Sequence, residues 1–177
     1  MAVCIALYEF FLVDIWDSGR QSDGSVFFNS NLGYAIENNI LSIPKASKLP
    51  NSGRVLPYVF IGDDAFGFKP HLMKPYPLQN LPAEKRVFNY RLSRARRVVE
   101  NAFGIAASRF RILRRPIIAK VEKAILITKA IVSLHNFLMS LPANNNNYNY
   151  CPSNYVDRES AAGTVPGEWR KYSDNIT

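Results

Sequence analysis

Three features of this sequence predict an α/β domain. Val3–Leu7, Phe10–Trp16 and Val55–Ile61 are short runs rich in β-branched and aromatic residues, and they read as strands. Two longer segments, Ala83–Leu113 and Val121–Leu141, place apolar residues at three- and four-residue steps, the period of a helix with one buried face. The 177 residues, 47% hydrophobic and 12% aromatic, suffice for one core with or without a tail.

Taken in order, the first two runs, with Tyr8-Glu9 between them, predict a tight hairpin or one bent strand. Asp17–Gly24 is a polar loop with two glycines, and Ser25–Ile40 is a loop running into a helix with Leu32, Ala35 and Ile36 on one face. Ser42–Gly53 is a connection containing Pro and Lys. Val55–Ile61 is almost wholly apolar, which suits a strand buried on both faces, with Pro57 tolerable near its entry. Asp63 then falls at the strand's C-terminal end. Pro70, Pro75, Pro77 and Pro82 make residues 67–82 an irregular, stiff connection.

The long helix carries Leu92, Ala95, Val99, Ala102, Phe103, Ala106, Phe110 and Leu113 on its apolar stripe, in one piece or in two around Gly104. Val121–Leu141 is the second long helix. Lys129 and His135 within it favour a core helix over a membrane span. In SLHNF, His135 reads as a hydrogen-bonded core histidine rather than a base. After Pro142 the composition changes to ANNNNYNYCPSN, so a domain over residues 1–141 and a disordered tail over 142–177 are expected.

Charge is concentrated in one place. The net charge is +8, and Ala83–Pro116 alone holds ten Lys or Arg against Glu84 and Glu100, an excess of eight. A basic chain with its cations on one helix points to a polyanionic partner, DNA or RNA before an acidic protein. Arg91, Arg94, Arg96, Arg97, Arg109 and Arg111 are the candidate phosphate contacts, set against the ordinary reading of a solvated helix face. Cys4 and Cys151 lie far apart with no His or Cys beside them, which gives neither zinc spacing nor a disulfide framework. Residues 1–13 lack the positive start of a signal peptide, and no membrane partner is expected.

Three acids stand out by position: Asp63 at a strand end, Glu100 on the basic helix and Asp23 in a Gly-bounded loop. Carboxylates on a strand end and a later helix are what a divalent-cation phosphoryl-transfer site requires, because Mg²⁺ takes hard oxygen ligands. The same pattern also fits turn capping by Asp63 and a helix-surface ion pair for Glu100.

Four blocks narrow the choice. IGDDAFGFKPHLMKPYP (Ile61–Pro77), FNYRLSRARRVVENAFGIAASRFRILRRPI (Phe88–Ile117), IVSLHNFL (Ile131–Leu138) and GRQSDGSVFFNSNLG (Gly19–Gly33) closely resemble the DDE-type nuclease domain of the PIF/Harbinger transposase group, in the correct order over about residues 1–140. The resemblance implies an RNase H-like mixed sheet flanked by helices. It implies a nuclease that hydrolyses phosphodiesters and transfers strands on DNA in the nucleus, with the cytoplasm as a second location. Asp63 matches the family's strand-end aspartate, Glu100 its helix-borne glutamate and Asp23 a further metal-binding aspartate, so Mg²⁺ or Mn²⁺ is the implied cofactor.

The family's first catalytic aspartate lies on a first strand upstream of anything present, and its usual preceding DNA-binding helical region is also missing. The expectation is therefore an N-terminally truncated domain with its first strand missing and an incomplete catalytic set, weakly active or inactive. A separate DNA-binding protein would then be a partner. The alternative is a non-catalytic DNA-binding or protein-interaction module derived from a transposase.

Overall fold

The hairpin at the start of the chain forms as its sequence predicts. In the computed structural model, which describes residues 1–15, 23–67, 69–77, 79–141, 149–160 and 163–173, β1 (Ala2–Cys4) pairs antiparallel with β2 (Phe10–Val13). Tyr8 closes the turn in the left-handed region at φ 63°, its N–H donating to the Ile5 carbonyl at 3.0 Å. The predicted loop into a helix becomes two short helices, α1 (Asp23–Phe28) and α2 (Asn31–Glu37). Ser30 caps α2, its Oγ accepting from Gly33 N–H at 2.9 Å, and Leu32 and Ile36 are buried as expected.

Val55–Ile61 departs from its expectation. Instead of one buried strand it forms two pieces, β4 (Val55–Leu56) and β5 (Phe60–Ile61). Residues β3 (Ser47–Lys48) pair antiparallel with β4, whereas β6 (Leu72–Met73) pairs parallel with β5. Pro57, which offers no ladder donor, falls between the pieces, and Val55 and Leu56 are exposed. With β7 (Arg158–Ser160) and β8 (Gly163–Val165), the strands make four separate two-stranded sheets. The fold of the described residues is thus mixed α/β with small sheets and five α-helices. Among the described residues the strands do not join into the single mixed sheet that the sequence suggested.

Helix α3 (Ala83–Arg109) runs unbroken through Gly104 and is followed by a 3-10 turn over Arg111–Arg114. Helix α4 (Val121–Ser140) follows. No helix among the described residues is long and apolar enough to cross a membrane. The chain divides into two compact units. The first contains α1, α2, β3–β6 and α3 as far as Arg96, with Phe27, Leu32, Ile36, Leu72 and Leu92 buried. Asn89 ties the proline-rich connection to α3, accepting from Tyr76 N–H at 2.8 Å and donating to its carbonyl at 2.9 Å.

The second unit contains β1, β2, α3 from Arg97, α4 and the C-terminal residues. One apolar cluster joins Phe10, Ala102 and Ala106. Two side chains of the SLHNF stretch fasten β2 and its turn to α4. Asn136 accepts from Phe10 N–H at 2.9 Å and donates to its carbonyl at 2.8 Å. His135, fully buried, places Nε2 2.8 Å from the Tyr8 carbonyl and Nδ1 2.8 Å from the Tyr150 hydroxyl. Because the carbonyl only accepts, Nε2 carries the proton and Nδ1 accepts from the phenol.

Burial lowers the His135 pKa, against the backbone bond to Tyr8 and the charge of Glu9, which raise it. The fold therefore favours neutral imidazole. Its contribution is fully present above the ordinary value of 6.5 and is lost as pH falls below it toward the folded value. Thermal melts between about pH 5 and pH 7 are expected to show the midpoint falling on acidification, and a shallower fall for His135→Gln. Parallel profiles for the two proteins would contradict this.

The second unit includes described parts of residues 142–177, the span expected to form a disordered tail. Positions 142–148 lie outside the described residues, but 149–160 and 163–173 are folded against α3. Tyr150, Tyr155, Val156 and Trp169 build a buried cluster around Ile105. A Cβ at Gly104 would collide with the Trp169 ring, so the glycine that seemed a helix break is a seat for the indole. The final short helix, α5 (Arg170–Ser173), follows it directly.

Candidate functional site

Asp63 sits one residue past Gly62, whose N–H closes the β5–β6 ladder on the Met73 carbonyl at 2.8 Å. The turn after it is set by Asp63 itself, with Oδ1 accepting from Ala65 N–H at 3.0 Å. Its other oxygen, Oδ2, faces Arg96 of α3 at 3.7 Å, with the carboxylate about one-quarter exposed. The turn-capping and ion-pair roles are therefore both present, and one oxygen still faces solvent and a cation.

Asp23 is the first residue of α1, and its side chain lies outside the described residues. Its neighbour Gly24 approaches the Asp63 turn closely, since a Cβ there would stand 2.8 Å from the Ala65 carbonyl oxygen. Phe27 of α1 also packs edge-on against Phe66 with ring centroids 5.2 Å apart. The start of α1 and the Asp63 turn are thus neighbours. Asp64 is exposed, as a solvated neighbour of Asp63 would be.

Glu100 belongs to the second unit. Its carboxylate is about half exposed and lies 3.8 Å from Arg170 Nη2. Arg170 is oriented from the other side by Asp157, whose side chain is fully buried and receives Nε at 2.9 Å. Burial alone would raise the Asp157 pKa. The bonds from Arg170 and Gly167 N–H, with the charges of Arg170 and Arg97, outweigh it and hold the carboxyl below its ordinary range. Asn101, beside Glu100, accepts from Asp157 N–H at 3.1 Å and from Trp169 Nε1 at 2.8 Å.

The candidate phosphate contacts divide into two groups. Arg91, Arg94 and Arg111 are exposed, Arg94 lying 5.7 Å from the Tyr90 ring centroid. Arg96 pairs with Asp63, Arg97 with Glu159, and Arg109, also exposed, meets the carbonyl of Tyr150 at 2.9 Å and the ring of Tyr155 at 4.6 Å. Sequence reading missed Arg170, Asp157 and Glu159, because it assigned no structure to the segment that carries them.

Among the described residues no group of three or more His, Cys, Asp or Glu gathers as a metal cage, and Asp23, the third of the expected set, has no described side chain. The donors that are described suit a hard cation. Asp63 and Glu100 offer carboxylate oxygen, and each already faces one guanidinium, a positive charge in the place a divalent ion would take. Cysteine chemistry has no support, since burial pushes the Cys4 pKa up to about 12 and raises that of Cys151 despite the lowering charge of Arg109.

Comparison with known proteins supplies the family. The model of the DDE superfamily endonuclease matches residues 1–136. No curated protein and no solved structure matches the chain. A match across this span, which contains Asp23, Asp63 and Glu100, means that the chain belongs to the DDE superfamily of endonucleases.

Proposed function

We propose that this chain is a transposase-derived DNA nuclease domain of Harbinger type and RNase H-like ancestry, weakly active or inactive in this form. Asp63 and Glu100 hold divalent cations with Asp23 assisting, and the arginines of α3 hold the phosphate backbone. The observation that carries the reading is the pair of partly exposed carboxylates, at a strand end and on the basic helix, within a DDE endonuclease match. A nuclear location and a separate DNA-binding partner protein belong to the same proposal.

The chemistry that Mg²⁺ or Mn²⁺ supplies when bound is polarisation of the scissile phosphate and acidification of a water. Asp63 and Glu100 provide the negative oxygens for such an ion. Arg91, Arg94 and Arg111 neutralise phosphates, which confers affinity without reading sequence. Weak turnover follows from Arg96 and Arg170 standing at the two carboxylates, because each guanidinium opposes a second positive charge at the same oxygens.

Duplex binding tests the DNA reading. Affinity is expected to fall steeply with salt, by a slope of about −0.9 per phosphate neutralised. Changing Arg91, Arg94 and Arg111 together to alanine is expected to flatten the slope by about 2–3. No binding at low salt by a folded sample would refute the DNA assignment.

A further inference from the structure

The C-terminal segment, described at residues 149–160 and 163–173, lies beyond the part of the chain that the family model matches, yet it engages the chemistry-bearing groups of α3 and of the 3-10 turn after it one by one. Glu159 of β7 pairs with Arg97. Arg170 pairs with Glu100 at 3.8 Å. Arg109 is taken by Tyr150 and Tyr155, with centroid distances of 5.6 Å and 4.6 Å, and Arg114 by Tyr172 at 4.7 Å. The segment thus sets a carboxylate on a cation, aromatic faces on two more cations, and a cation on the helix carboxylate. A DNA phosphate and a divalent ion would make the same exchanges.

We propose that residues 149–160 and 163–173 are a built-in competitor that occupies Arg97 and Glu100 and must release them before DNA engages this part of α3. The inference rests on the DNA-binding reading above. Two features make it a switch rather than plain surface pairing. The ionic contacts themselves are weak, because Arg97 and Glu159 are partly exposed and Arg170 and Glu100 more so. What holds the segment is apolar burial of Tyr150, Tyr155, Val156 and Trp169 around Ile105. Docking is therefore insensitive to salt while the competition it imposes is electrostatic. By linkage, whatever weakens docking strengthens DNA binding, and DNA weakens docking by the same factor.

The test uses the full chain and a labelled duplex at low salt, comparing the wild type with Glu159→Gln and Glu168→Gln. The two variants remove the same charge from the same segment, but Glu168 pairs with Lys171 at 3.6 Å rather than with α3. Glu159→Gln is expected to bind about three- to fivefold more tightly than the wild type, as befits one partly screened ion pair released. Glu168→Gln is expected to stay within about twofold of it. Equal affinity of the two variants, with all three proteins binding, overturns the competitor and leaves the DNA reading standing. Absence of binding by all three overturns both.

Discussion

Trp169→Ala is expected to lower stability by about 3–5 kcal/mol, the largest effect of any single substitution considered. The indole is buried with Ile105, Tyr150, Tyr155 and Val156, covers Gly104, and donates to Asn101 Oδ1 at 2.8 Å. Truncation removes the ring's contacts, opens a cavity over a helix position that has no side chain to fill it, and takes one donor from a buried amide. A domain of this size has about 5–15 kcal/mol in all, so the loss is a large fraction of the whole. Trp169 is one of the residues that hold the C-terminal segment on α3, so the damage should start there by local opening. Urea unfolding measures the total. Amide hydrogen exchange locates it, with faster exchange expected in residues 149–173 before β1 and β2. A variant with wild-type urea midpoint and unchanged exchange in that segment would show that the indole does not hold it.

Where local periodicity decides structure, the sequence was legible. The β1–β2 hairpin, α3, α4 and the buried hydrogen-bonded His135 all follow from residues near one another in the chain. Helix α3 was read as having one apolar stripe, however, and it has two buried sides. Ala102 and Ala106 face the cluster with Phe10, whereas Ile105 faces the cluster with Trp169. A single-stripe reading finds the first and passes over Ile105, while Phe103, counted on the stripe, is half exposed.

The C-terminal segment was illegible for a related reason. Its anchors, Tyr150, Tyr155, Val156 and Trp169, have neither helical nor strand spacing, and an asparagine-rich run dominates the composition before them. Only the partner surface on α3, with Gly104 as a seat for the indole, gives them a place to fold. The candidate site shows the same division. Asp63 and Glu100 were singled out as candidates from position and motif. Arg170 and Asp157 were not, because ion pairs between distant segments leave no local trace.

A second large effect is expected in metal binding. If Asp63 and Glu100 are metal ligands, losing either carboxylate should weaken Mn²⁺ on the order of tenfold or more, since even residues behind a ligand typically cost 10–100-fold. Asp63→Asn and Glu100→Gln preserve shape and remove charge, so lost affinity reports the charge. The Asx turn survives in Asp63→Asn because an amide oxygen still accepts from Ala65 N–H.

Mn²⁺ titration followed by paramagnetic broadening of backbone amide signals measures this binding. The proposed ligands predict that signals of Gly62–Asp64 and of Val99–Asn101 broaden, and that Asp63→Asn weakens the broadening of the first stretch and Glu100→Gln that of the second. No broadening at either stretch in a folded sample, or broadening that survives replacement of the carboxylate beside it unchanged, would contradict the metal assignment.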